Sequence, residues 1–169
     1  MKWLGAALIL SLSLYLGIAL GAAERIRIRE LEAFSRMMGA IGESVDLLRL
    51  PAAEIFCTYS DDVLEENGFL PRLRARVQRD GPTDALGQVI SEMQAEGRLH
   101  CLTEDLEALT AFSKEFGCGD GGQEVRRCAY CAARLTACAK EASEHAQGNI
   151  RVSRALSFSA GILCVLMLM

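Results

Sequence analysis

Hydrophobic positions crowd both ends of the chain and recur at helical intervals between them. Residues Trp3 to Ala23 carry no ionisable side chain except Tyr15, and Ala155 to Met169 carry none. An apolar helix of about 20 residues crosses a bilayer core. The pattern therefore predicts a transmembrane helix over 3–23, a helical domain over 24–149 and a second transmembrane helix over 150–169. The final apolar run alone spans about 22 Å at 1.5 Å per residue. Residues from Ile150 must therefore contribute, with Arg151 and Arg154 reaching back to the interface.

Between these ends the spacing is that of amphipathic helices. From Arg25 to Leu48, an advance of 100° per residue places Arg25, Arg29, Glu32, Arg36 and Glu43 on one face. Leu31, Phe34, Met38, Ile41, Val45 and Leu48 fall opposite. Glu32 and Arg36 are spaced for an ion pair one turn apart. Pro51 suits the first turn of a short helix running through Ile55, Phe56 and Tyr59. Asn67-Gly68 marks a turn. A basic-faced helix follows from Phe69 to Arg79 and stops at Asp80-Gly81-Pro82. Thr83 or Asp84 can cap a helix to about Glu96, with Leu86, Val89, Ile90 and Met93 inward. Gly97 ends it, Thr103 can open a fifth helix to Phe116, and the last begins at Asp120. With short connections and no run of period two, the domain reads as all-α: a compact antiparallel bundle of about six helices.

Charge then orients the ends. Arg25, Arg27, Arg29 and Arg36 follow the first apolar run, and Arg151 and Arg154 precede the second. Basic residues gather on the cytoplasmic side of a span, so both flanks place the middle domain in the cytosol and both termini outside. A cleaved secretory signal ending near Ala23 is the rival reading of the first run. The length of the apolar run and the arginines after it favour a retained anchor. Gly17 and Gly21 form a GxxxG in the first span, and Ser157 and Gly161 repeat the spacing in the second. These four positions permit close packing of membrane helices.

Candidate chemistry is sparse. Acidic residues outnumber basic ones, 22 to 18, which excludes a nucleic-acid surface of the usual basic kind. The stretch Phe116 to Gln123 (FGCGDGGQ) is rich in glycine, but no strand precedes it and no Lys-Ser/Thr follows, so it does not match a nucleotide loop. It reads instead as a turn between helices. Gly117 is the left-handed C-cap, Asp120 the next N-cap, and Gln123 bonds back from the third position. Of the seven cysteines, Cys164 lies in the second apolar run, and those of a cytosolic domain are expected to be free thiols. Cys128 and Cys131 form one CxxC, whereas zinc needs four converging ligands. On the helical wheel Cys128, Cys131, Leu135, Cys138 and Ala142 fall within about 80°, the pattern of small buried thiols packing as hydrophobes. His100 and His145 have no catalytic partner at a recognisable spacing. No catalytic, cofactor-binding or metal-binding residue is assigned, and neither a cofactor nor a small-molecule substrate is expected.

The order of parts, together with Leu109, Phe112, Phe116, Gly117, Asp120 and Gln123, resembles the stage III sporulation protein AB family of endospore-forming bacteria. Arg29 to Phe34, Leu50 to Glu54, Glu141-Ala142 and the terminal run from Leu156 extend the resemblance over essentially the whole chain. The chain departs from the family pattern at Ala85-Leu86, where an Ala-Trp pair is usual, and at Ser113, where a glycine is usual. The resemblance implies a non-enzymatic component of the secretion-like apparatus linking mother cell and forespore. It also implies a domain similar to those of type II secretion protein F. The expected partners are the other stage III sporulation proteins, AA to AH, and above all the AA ATPase, with the domain on the mother-cell side of the membrane. Two other readings stay open: a platform protein of a type II secretion or pilus-type system, and a membrane-bound thiol or zinc protein built on Cys128 and Cys131.

Overall fold

In the computed structural model the described backbone covers residues 2–116 and 121–168, and the described side chains are those of 22–116 and 121–146. Every regular element among the described residues is helical. In chain order they are α1 (Lys2–Glu43), a π-helical turn (Ser44–Leu48), α2 (Ala52–Thr58), α3 (Asp62–Glu66), α4 (Phe69–Asp80), α5 (Ala85–Ala95), α6 (Glu107–Glu115) and α7 (Gly121–Leu168). The chain divides into two compact units. One is Arg27–Lys140; the other gathers residues 1–26 and 141–169. Among the described residues no helix is long and apolar enough to cross a membrane. The side chains of residues 3–21 and 150–169, on which the two expected spans rest, lie outside the described residues.

The inward stripe of α1 is the one its periodicity predicts. Leu31, Phe34, Met38 and Ile41 are completely buried, while Arg25, Arg29, Glu32, Arg36 and Glu43 are exposed. The stripe then breaks. The wider π turn adds a residue and rotates the positions after it, so Leu48, expected inside, is 65 % exposed. The segment ends at Arg49 in a left-handed conformation, φ 49°. Arg36 does not pair with Glu32 as expected; its Nη2 meets Asp61 at 2.8 Å.

Asp61 also explains a helix that the hydrophobic pattern does not announce. Its carboxylate accepts from the amides of Val63 and Leu64, at 3.0 and 3.3 Å. Capping of this kind offsets the cost of two orphan donors, enough to hold the five residues of α3 over buried Leu64. Gly68, at φ 85°, then turns the chain into α4.

Two expected caps are replaced. Asp84 precedes α5 but sits at φ 54° and makes no capping bond; its Oδ1 accepts from the Ser113 hydroxyl instead, at 3.3 Å. α6 starts at Glu107 rather than at Thr103, after a turn with Leu106 at the N-cap and no side-chain cap. The α5 terminus is more regular. Gly97, at φ 66°, places its amide on the Gln94 carbonyl and that of Arg98 on Met93, the paired closure of a Schellman motif.

The core lies within Arg27–Lys140 and draws on every helix. Phe34 meets Phe69 edge to face at 4.9 Å, a favoured geometry for ring quadrupoles. Phe116 stacks obliquely on Phe56 and Phe112. Leu86, Val89, Ile90 and Met93 of α5 are buried as the sequence requires. So are Cys128, Cys131, Leu135 and Cys138 of α7. Gly42 lets α1 pass close to α7, since a Cβ there would lie 3.1 Å from that of Cys128.

Candidate interaction site

Glu30 is the polar centre of the domain. On the α1 wheel it lies within about 40° of Phe34 and 20° of Ile41, on the apolar side, and it is only 1 % exposed. A carboxylate in that position costs several kcal/mol unless it is hydrogen-bonded. Its Oε2 accepts from the backbone amides of His100, at 2.8 Å, and Cys101, at 3.3 Å. The Cys101 thiol donates to the same oxygen at 3.5 Å, and the His100 ring nitrogen lies 3.4 Å from Oε1. One turn earlier, Arg27 donates Nε and Nη2 to Asp105 at 2.8 and 2.9 Å. Asp105 in turn accepts from the Leu102 amide. Two side chains of α1 thus fix the connection between α5 and α6. The sequence signal for Glu30 is a lone acid inside an apolar stripe.

With its entry fixed, α6 presents a row at one-turn spacing, Glu107, Ala111 and Glu115, beside Ala108 and Phe112. Facing it, α7 presents Gln123, Arg126, Arg127, Tyr130 and Arg134. Between the two rows lies an open groove of about 590 Å³. Its floor includes Phe112 and Cys131, and the alanines of α6 are too small to fill it. Carboxylates line one wall and guanidinium groups the other. Glu115 and Arg127 meet across it at 2.9 Å, whereas Glu104, Glu107 and Arg134 have no ion-pair partner among the described residues. Tyr130 stands 69 % exposed at the rim.

Reactive groups are muted. Burial, the largest cause, pushes the Cys128 thiol up to about 12 and that of Cys131 to about 11 from the usual 9.0. Burial and then the neighbouring Glu30 carboxylate push Cys101 higher still. None of these three, nor Cys57, forms a disulfide. At neutral pH those three are thiols rather than the thiolates that attack or bind metal. Among the described residues no group of three His, Cys, Asp or Glu side chains converges to hold a metal ion.

The sequence-predicted positions divide accordingly. Gln123 is the third residue of α7 and borders the groove, where it is exposed. Gly117 and Asp120, its expected partners in the turn, lie outside the described residues. Gly17 and Gly21 fall in α1, and Ser157 and Gly161 in α7; their surroundings also lie outside. Residues 2–169 match the family model of stage III sporulation protein AB.

The chain belongs to that family. No curated protein and no solved structure matches it. Membership of the AB family gives the chain a role in stage III of sporulation. Ser113 bridges two elements of this domain. Its hydroxyl accepts from the Gly87 amide at 2.7 Å and donates to Asp84, so this AB-family chain ties α6 to the start of α5 by a side-chain bond. Gly87 in turn has no room for a side chain. A Cβ there would lie 2.7 Å from Asp84 Oδ1 and 3.2 Å from Ser113 Oγ.

Proposed function

We propose that this protein is a non-enzymatic membrane scaffold of the sporulation transport complex between mother cell and forespore. In this reading the apolar ends anchor it as a hairpin, with its helical domain in the mother-cell cytosol. The observation that carries the reading is the family match, which runs through both apolar ends as well as the domain between them. The matching arginine flanks support the topology. A domain whose buried carboxylate holds a loop, and whose thiols are protonated, supports a structural rather than a chemical role. The partners on this reading are other stage III proteins, and the secretion-type ATPase of the complex is the first of them.

A clean deletion tests the role: sporulation should stop after engulfment, and normal spores from the deletion strain would remove the reading. Reporter fusions test the topology. A cytosol-active reporter should work when inserted in the domain and fail at the C-terminus; the opposite result reverses the hairpin. Co-purification of the detergent-solubilised chain with the ATPase tests the named partner.

A further inference from the structure

The α6–α7 groove is an unfinished helix seam. It has a floor, with Phe112 and Cys131 at its base, and an exposed aromatic, Tyr130, at its rim. Its walls carry opposite charges that, among the described residues, reach each other only at Glu115–Arg127. Glu104 and Glu107 on one side and Arg134 on the other are left without an ion-pair partner among the described residues. Exposed tyrosine and arginine around a small apolar floor are the usual anchors of a protein interface. An open groove between two helices suits a third helix, docked through residues one turn apart.

We propose that this groove receives an amphipathic helix of another protein, apolar along its centre, basic along one flank and acidic along the other. The glutamate wall takes the basic flank and the arginine wall the acidic one. Opposed walls do more than attract. Turning a helix end for end exchanges its flanks, so the walls fix the direction in which the partner lies. A helix with flanks of a single sign meets one wall of like charge, which weakens binding and rejects it. The scaffold reading supplies the expectation of a partner, and the groove supplies its chemistry.

Three helical peptides with the same leucine stripe test this against the detergent-solubilised full chain: one with lysine on one flank and glutamate on the other, one all-lysine and one all-glutamate. The mixed peptide should bind at least tenfold tighter than either of the others at low salt. Tyr130→Ala should weaken it at least fivefold. The double change Arg126→Glu and Arg134→Glu, at exposed positions, should keep the helical circular-dichroism signal and move the preference to the all-lysine peptide. Equal binding of the three peptides, binding of none, or a preference that does not move with the wall overturns the proposal.

A photo-crosslinker at Ala111 in sporulating cells tests the occupant. An adduct mapped to a mixed-flank segment of another protein, and lost in the double variant, supports it. An adduct with a second copy of this chain or with lipid overturns it. The peptide result uses the purified chain alone and can fail while the scaffold reading stands. A deletion that leaves sporulation normal removes the scaffold reading without touching the peptide result.

Discussion

The α4–α5 seam and the α6–α7 seam use the same charges and reach opposite ends. On α4, Arg72 meets Glu96 at 2.8 Å, and Arg76 reaches Glu92 and Gln88. The hydrogen bond from Arg72 holds the Glu96 carboxyl below its ordinary range. Beneath these pairs Leu73, Val77, Leu86, Val89, Ile90 and Met93 fill the space. On α6 and α7 Glu115 meets Arg127, but Glu107 and Arg134 stand without an ion-pair partner among the described residues, and Ala108 and Ala111 leave the seam between them unfilled. Opposite charges do not draw helices together against a void. Apolar side chains of the right volume set the distance first, and ion pairs at the rim then add about 1 kcal/mol or less each.

The comparison breaks most visibly in the cores of the two seams. Ile90→Ala should cost about 2–5 kcal/mol in denaturant unfolding, because it leaves a cavity in the closed seam. Ala111→Leu in the open seam should stay within about 0.5 kcal/mol, as at an ordinary surface site. A large loss from Ala111→Leu would mean that the groove is as tightly packed as its counterpart.

The loop joining the two seams should respond next. Glu30→Leu removes the acceptor for the amides of His100 and Cys101, and unpaired buried amides should cost about 1–3 kcal/mol. Amide exchange should accelerate at those two residues first; unchanged exchange there would count against the clamp. Gly87→Ala should cost about 1–3 kcal/mol by forcing a methyl against Asp84 and Ser113. Ser113→Gly in the same background should recover part of that loss.

Thiols sharpen the point that an open groove is not a reactive one. With the Cys128 thiol raised from 9.0 to about 12, its thiolate fraction at pH 8 is about a thousandfold lower than in the unfolded chain. Alkylation followed by mass spectrometry should therefore be slow in the folded protein and fast after denaturation. The same shift has a sign for stability. As pH rises past about 9 the unfolded chain loses these protons first, so stability falls by about 1.4 kcal/mol per thiol and pH unit until the folded thiols titrate. Below pH 8 they should leave stability unchanged. The smallest effect is at the rim: Arg76→Gln should lose less than about 1 kcal/mol, and Arg134→Gln nothing measurable unless a partner helix is bound.

Helical periodicity was enough to find most of this domain. It places Leu31, Phe34, Met38 and Ile41 inside, gives α4 and α5 to within a residue or two, and groups Cys128, Cys131, Leu135 and Cys138 into one buried stripe. It missed α3, which rests on a cap at Asp61 rather than on a stripe. It also carried the α1 stripe one turn too far, because a π turn leaves no mark in residue spacing. Thr103 looked like a cap, yet α6 starts four residues later: the carboxylates of Glu30 and Asp105 have already taken the amides of His100, Cys101 and Leu102. The groove was legible only in halves, as charged rows on two helices that alone resemble solvated faces.

What the sequence determined by itself was the helical period, the placement of charge against apolar residues and the kinship to the stage III sporulation protein AB family, which covers residues 2–169. These depend on neighbours within a few turns of one helix. The tertiary structure decided which charges pair, why Glu30 is buried and where a seam stays open. Each of those depends on the distance between helices far apart in the chain. That distance is set by the summed volumes of the side chains between them, which no single stretch of sequence contains.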